Sequence, residues 1–282
     1  MYLTEEHKRR LLLQASEVRE ETIRLIYHGN GGHIGGDLSE ADLLVAIFDY
    51  MKHDVTKPDQ VERDRFVLSK GHAAEAYYTI LHKYGYIDDD DMEQFGSFGA
   101  KLGGHPNVKI AGVDVCTGSL GHGLGLATGM ALALKKDGRS NRVFVLTGDG
   151  ELAEGSVWEA AMSATKYRLD NLTWLIDRNG LQISGSTEEV MPLDSLEMKA
   201  KAFGFHTSVI DGHDMEEIYG ALSERSKGKP ACIIAKTIKG KGLPEAENQA
   251  SWHHKTPTAE QVEAVSQAMQ AYREEVQRHG NV

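Results

Sequence analysis

Two cysteines in 282 residues, Cys116 and Cys232, are too few for a disulfide framework. Reduced thiols in a cytoplasmic protein are the simplest expectation. No apolar run approaches the roughly 18 residues that a membrane span requires. The opening MYLTEEHKRRLLLQ has neither the apolar core nor the cleavage site of a signal peptide. Positive charge is also short: 31 Lys and Arg stand against 42 Asp and Glu, for a net charge of −11. That balance speaks against nucleic acid or an anionic membrane as the partner. It leaves room for a phosphorylated ligand, because glycine-loop amides, helix amino termini and a metal ion bind anions locally. Repeats and low-complexity linkers are missing as well. With 40% hydrophobic residues the chain can bury a core, and residues 1–282 are expected to form a single α/β domain.

Glycine is plentiful, 30 residues in all, and one pair of glycines closes the central apolar run. Val143-Phe144-Val145-Leu146 reads as a buried parallel strand that ends in Gly148-Asp149-Gly150. A helical stretch from Val157 to about Tyr167 follows, then a second apolar run, Leu172 to Ile176, ending in Asp177-Arg178-Asn179-Gly180. Adjacent strands lie about 4.8 Å apart. If both runs belong to one parallel sheet, Asp149 and Asn179 emerge at the same carboxyl edge and can share a hard cation. Magnesium suits such a site, since it takes one or two protein oxygens and completes its octahedron with phosphate and water. Gly-Asp-Gly alone reads first as an ordinary strand-to-helix turn; Asn179 at this spacing, with Glu154 between, turns the reading towards a site.

Elsewhere the pattern predicts a helix over 4–28, capped by Thr4, with Leu12, Ala15, Val18, Ile23 and Ile26 on one face. The glycine-rich 29–39 segment is expected to be a ligand-approaching loop, with Ser39 and Asp42 as a capping box for a helix to Tyr50. A strand at 65–69 precedes His72 and a helix from about Ala73 to Tyr84; the acidic 87–92 run reads as a surface loop. The 95–107 segment is expected to be irregular, and loops of that length are uncommon unless functional. Gly121, Gly125 and Gly129 recur every four residues, leaving a bare helix face suited to close helix packing. Strands at 206–210 and 231–236 flank a helix at 214–225, and Thr258 with Gln261 forms a capping box for a last helix. Lys239-Gly240-Lys241-Gly242 lacks the spacing of a nucleotide-binding phosphate loop. His253 and His254 are adjacent, and adjacent residues rarely ligate one ion.

Gly-Asp-Gly followed at this distance by Asn179 resembles the signature of thiamine-diphosphate enzymes. GDGELAEGSVWEA, DRFVLSKGHA and SWHHKTP resemble transketolases in particular. The resemblance covers nearly the whole chain, but only the amino-terminal, diphosphate-binding half of a full-length transketolase. It implies a parallel sheet with helices on both faces, binding thiamine diphosphate and Mg2+ (or Ca2+ or Mn2+ in its place). Asp149, Asn179 and the main-chain carbonyl of Leu181 would hold the metal. Gly118 and Leu120 would lie against the thiazolium and diphosphate, and Gly150 would admit a phosphate. His72 and His253 would hydrogen-bond phosphate or substrate hydroxyls, while His33 and His105 would orient the ketose and the two-carbon fragment. Glu154 matches a carboxylate that shares protons between active sites across a dimer; as a helix-start acid it would merely favour the dipole. Each histidine, taken alone, is equally a cap or turn residue. The chain departs from the family pattern at Ile34, where proline is usual, at His122 in GSLGHG, and at His254, where glycine is usual.

The family's ring-activating glutamate, its aromatic cradle and its phosphate-gripping arginines lie in a following domain that this sequence does not encode. The resemblance therefore implies ketol transfer from a ketose phosphate to an aldose only with a complementary carboxy-terminal subunit, two copies of each chain assembling. The alternatives are one subunit of a 2-oxo acid dehydrogenase or synthase, and a regulatory subunit without catalysis. The donor and acceptor stay open among pentose phosphates and branched or sulfonated sugars.

Overall fold

The computed structural model describes residues 3–279. In chain order the elements are α1 (Glu5–His28), α2 (Ile34–Tyr50), β1 (Arg65–Leu68), α3 (Ala74–Lys83), α4 (Asp89–Glu93) and α5 (Gly123–Lys136). Then come β2 (Val143–Gly148), α6 (Gly155–Lys166), β3 (Leu172–Arg178), the short β4 (Leu181–Gln182) and β5 (Gly185–Ser186), and α7 (Thr187–Val190). The chain finishes with α8 (Leu196–Ala202), β6 (His206–Asp211), α9 (Met215–Ser223), β7 (Ala231–Lys236) and α10 (Ala259–His279). Among the described residues no helix is long and apolar enough to cross a membrane.

The main sheet has five strands in the order β1-β2-β3-β7-β6, and every pairing is parallel. Period-2 alternation sends its side chains into two separate cores. Phe66, Phe144, Leu146, Leu175 and Ile233 join Leu11, Leu44, Tyr77 and Ile218 from α1, α2, α3 and α9. Val67, Val143, Val145, Trp174 and Ile234 join Leu124, Val157 and Leu196 from α5, α6 and α8. Helices thus cover both faces, which is why the strands read as nearly unbroken apolar runs. β2 to β3 and β6 to β7 step across the sheet in opposite directions, so right-handed crossovers put α6 and α9 on opposite faces.

The expected elements form, and Thr4 caps α1 by accepting the His7 amide. Leu12, Ala15, Val18, Ile23 and Ile26 are all buried. Thr258 and Gln261 exchange both capping-box hydrogen bonds at 2.9 and 3.3 Å. Residues 95–107 contain neither helix nor strand.

Three local expectations are corrected. The glycine-rich segment is not all loop: α2 starts at Ile34, so Gly35 and Gly36 are helical and Ser39 lies inside the helix rather than capping it. None of the glycines at 29, 31, 32, 35 and 36 needs a positive φ. They are small for approach instead, since a Cβ at Gly35 would sit 2.8 Å from the Trp252 carbonyl. Burial of α2 overrides the low helix propensity of glycine. Ile34 takes the first helical position, where proline is favoured, which explains the family's preference there. Second, the acidic run includes the short α4, capped by Asp88 accepting the Asp91 amide at 2.8 Å. Third, the glycine stripe is a packing face only in part. Gly121 precedes α5, and a Cβ there would come 2.6 Å from Glu154; a Cβ at Gly125 would touch Ala160 of α6 at 4.0 Å. Among the described residues, however, a Cβ at Gly129 would meet nothing within 4 Å, and the neighbouring Leu126 is 43% exposed.

Candidate functional site

Four adjacent strands deliver polar side chains to one carboxyl edge: Lys70 follows β1, Asp149 β2, Asn179 β3 and Lys239 β7. The carboxyl edge of an open parallel sheet is where such folds bind ligands. With His33 at the amino terminus of α2 and the β4–β5 hairpin above, these residues line a cavity of about 360 Å3. His72, Gly118, Leu120, Gly150, Leu181 and His253 line it too. His105 and Glu154 are not among the lining residues. His105 is exposed and stands beside Gly118, where a Cβ would come 2.6 Å from its ring. Glu154 is exposed at the start of α6, next to Gly121.

The oxygens that the sequence nominates for a metal are fixed by short local bonds. Asp149 Oδ1 accepts the Gly150 amide at 2.8 Å; Oδ2 accepts the Gly180 amide at 2.6 Å and Arg178 Nη1 at 3.0 Å. Asn179 is oriented by its Nδ2, which donates to Asp177 at 3.2 Å, and its Oδ1 accepts the Leu181 amide at 3.1 Å. The Leu181 carbonyl accepts Lys239 Nζ at 3.4 Å, so a cation already sits against this group of oxygens. Carbonyl and carboxylate oxygens keep further lone pairs after one bond. The donor set is one carboxylate, one amide and one carbonyl, all hard oxygens, and it fits Mg2+, Ca2+ or Mn2+ completed by ligand oxygens. Among the described residues no group of three or more His, Cys, Asp or Glu is placed to hold a metal, the histidine cluster included.

Beneath the cavity floor lies a buried ion cluster. Lys70 Nζ donates to Asp177 at 2.6 Å and to the Gly36 carbonyl at 2.9 Å, and lies 2.9 Å from Glu40. Burial alone would lower the Lys70 pKa, but the Asp177 and Glu40 carboxylates raise it above its ordinary value. Burial also opposes ionisation of Asp177, and Lys70 outweighs it, holding that pKa below the ordinary range. Burial pushes Glu40 well above the carboxylate range. Asp149 is raised by burial and by the nearby Asp177 charge, so the site holds a carboxylate that gains from a cation.

Above the floor the imidazoles cluster. The His33 ring stands 4.9 Å from His72, 5.5 Å from His253 and 4.7 Å from His254, measured between centroids. Burial first, then neighbouring imidazoles, pulls His33 down to about 4. Burial and Lys70 take His72 to about 2; burial and Lys239 take His253 to about 3. All three are neutral at pH 7 and can each donate from one ring nitrogen and accept at the other. Burial and the repulsion of Lys70 lower Lys239 to about 8. An anion in this cavity would raise it again and favour the ammonium form of that lysine.

A family model described as "Transketolase, thiamine diphosphate binding domain" matches residues 13–275. The chain belongs to this family. One named subunit of the apulose-4-phosphate transketolase of Phocaeicola vulgatus is 43% identical over 96% of this chain and 98% of its own length. The 6-deoxy-6-sulfo-D-fructose transketolase subunit of a Clostridium species is 42% identical over 88% of this chain and 91% of its own. The Campylobacter jejuni transketolase structure superposes with a TM-score of 0.89 at 32% identity, covering 93% of this chain and 43% of that one. The chain thus spans less than half of the single-chain enzyme but nearly all of the two named subunits.

Within this transketolase domain, several residues at the cavity were given no site role by sequence. Lys239 sits in a Lys-Gly-Lys-Gly string whose spacing fits no known phosphate loop, yet it is 2% exposed and lines the cavity. Glu151, two residues after Asp149, is 3% exposed and accepts the Gly121 amide at 2.8 Å, the Gly148 amide at 3.2 Å and the Ser69 hydroxyl. It ties together the loops that follow β1 and β2 and precede α5. Lys70 was readable as part of the Ser-Lys-Gly-His string, but its partners Glu40 and Asp177 lie on other elements. His254 adopts no positive φ, so an imidazole replaces the usual glycine without backbone strain.

Proposed function

We propose that the chain is the diphosphate-binding subunit of a two-chain, thiamine diphosphate- and Mg2+-dependent transketolase. In this reading it transfers a two-carbon ketol unit from a ketose phosphate to an aldose. The observation that carries it is the match, over almost their full lengths, to transketolase proteins named as subunits, combined with a carboxyl-edge cavity of hard oxygens, buried ammonium groups and neutral imidazoles. Asp149, Asn179 and the Leu181 carbonyl would hold the metal. Gly118, Leu120 and Gly150 would let the backbone approach the cofactor, and Lys239 would offset diphosphate charge. When bound, thiamine diphosphate supplies the carbanion chemistry, and the protein supplies position and electrostatics.

The imidazoles do the remaining work. His33, His72 and His253, kept neutral by burial, present both donor and acceptor nitrogens to sugar hydroxyls. A bound diphosphate would raise their pKa values towards the range in which they could take or return a proton as a carbon–carbon bond breaks and forms. His105, exposed beside Gly118, and Glu154, exposed on the next helix, would be completed by the partner chain: His105 orienting the two-carbon fragment, Glu154 sharing protons between sites. Exposed apolar groups support a covering partner, since Ile183 lines the cavity while 73% exposed and Phe98 is fully exposed. Two copies of each chain, in the cytoplasm, complete the proposal.

The test is to purify the tagged chain from its own source extract and assay the eluate with thiamine diphosphate and Mg2+ on xylulose 5-phosphate and on pyruvate. The proposal requires a second chain, ketol transfer from the sugar, and loss of activity when the chains are separated. Activity of the lone chain would refute the two-chain arrangement, and turnover of pyruvate alone would replace the reaction with that of a 2-oxo acid enzyme. Unchanged activity of the assembled enzyme after Asp149→Ala would make this chain a regulatory subunit.

A further inference from the structure

Lys239 is carried on residues 237–242, which belong to no helix or strand, yet its side chain is buried at the cavity. Holding a long, rotamer-rich cation there requires a fixed backbone. The Thr237 and Gly240 amides donate to main-chain carbonyls, those of Arg178 at 3.2 Å and Gly35 at 2.9 Å. Between them the Ile238 amide donates to a side chain, Nε2 of His213, at 2.9 Å.

His213 follows β6, and its other nitrogen, Nδ1, lies 2.6 Å from Asp42 Oδ2 on α2. Asp42 is paired with both terminal nitrogens of Arg19 on α1. These bonds decide the tautomer. Nε2 accepts from Ile238, so the single ring proton is on Nδ1 and is donated to Asp42. Burial opposes the Asp42 charge, but Arg19 and His213 overcome it and keep the carboxylate ionised. Arg19 from one side, and Ile238 through His213 from the other, therefore form a continuous run of hydrogen bonds that converges on Asp42 and links α1 to the residue before Lys239.

We propose that His213 is a positioning residue that holds the Lys239 ammonium at the cavity through the Ile238 amide. This rests on the reading of the cavity as a diphosphate site. His213 does not line that cavity and touches none of its ligand-facing groups. It acts by fixing the backbone from which Lys239 reaches the Leu181 carbonyl and His253.

The experiment is calorimetric titration of Mg2+–thiamine diphosphate into the assembled two-chain enzyme, with this chain in parent or variant form. His213→Ala is expected to weaken binding about tenfold, the scale of one hydrogen bond to a charged site. His213→Gln, whose side-chain oxygen can still accept the Ile238 amide, should stay within about threefold of the parent. His213→Asn keeps only the reach to Asp42 and should resemble alanine. In the Lys239→Met background, His213→Ala should change nothing further, because the two residues then act as one unit. Should the alanine variant not fold, the Gln–Asn pair carries the same comparison. Parent-like binding by both Ala and Asn, a glutamine variant no better than asparagine, or additive losses in the double variant would each overturn the proposal. Failure of the unmodified assembly to bind the cofactor overturns the diphosphate reading and this inference with it; failure confined to the variants' pattern overturns the inference alone.

Discussion

Lys70→Met tests the electrostatic floor on which the site stands. Lys70 is 2% exposed, and its ammonium faces Asp177 at 2.6 Å and Glu40 at 2.9 Å, both themselves fully buried. Methionine refills most of the stem's volume, so the loss is one of charge rather than packing. Removing one partner of a buried ion pair costs roughly 3–5 kcal/mol. At about 2–4 °C per kcal/mol for a domain of this size, the melting temperature should fall by roughly 6–20 °C. The pH dependence gives the reasoning its sharper edge. Without the ammonium, burial raises the folded-state pKa of Asp177 above its unfolded value. A carboxyl group whose folded pKa is raised contributes less stability as pH rises through that pKa. The variant should therefore be most handicapped near about pH 8 and recover part of the loss near about pH 5.5. Urea unfolding of both proteins at both pH values reads this directly. A deficit below about 1 kcal/mol near pH 8, or one that is equal at the two pH values, would refute it. Ser39, Thr237 and Asn179, the remaining partners of Asp177, would then suffice to hold its charge.

Asp149→Asn should lower Mg2+-dependent affinity for thiamine diphosphate by more than about tenfold, since the hard anionic ligand is lost; an equal loss with Mg2+ chelated would contradict the metal role. His33, His72 and His253 have folded pKa values of about 4, 2 and 3 against 6.5 unfolded, so below pH 6.5 the unfolded chain takes up protons that the folded one does not. Their combined stability is present above that pH and should fall on acidification through this window, at no more than about 1.4 kcal/mol per pH unit for each group; replacing the three by Gln should flatten the slope. Gly118→Ala places a Cβ 2.6 Å from the His105 ring at a φ of +139°, and unfolding experiments should show a loss of roughly 1–3 kcal/mol. A silent substitution there would mean that His105 swings aside freely.

Local signals that depend on neighbours in the chain were legible. The apolar runs that became β2 and β3, the Thr258–Gln261 capping box and the Asp149–Asn179 edge were all readable, because strand burial, capping and strand ends are encoded within a few residues. Where the reading went astray, a distant contact decided. Gly35 and Gly36 look like loop because glycine is a poor helix former; they lie in a buried helix, where the Trp252 carbonyl and Lys239 crowd Gly35 and Ala73 and Lys70 lie beside Gly36. The glycines of α5 look like one packing face, but only Gly125 meets α6, at Ala160, and none of the described residues comes within 4 Å of a Cβ at Gly129.

By itself, then, the sequence determined the two-sided parallel sheet, the edge at which Asp149 and Asn179 emerge, and the oxygen and imidazole groups presented there. Only the tertiary structure decided which charges share that edge. Lys70, Glu40 and Asp177 come from the end of β1, the interior of α2 and β3, two strands away, and Lys239 reaches the cavity from a loop latched by His213. Such partners are set by burial and strand order, and electrostatic balance in a dry interior depends on distances that no local pattern carries.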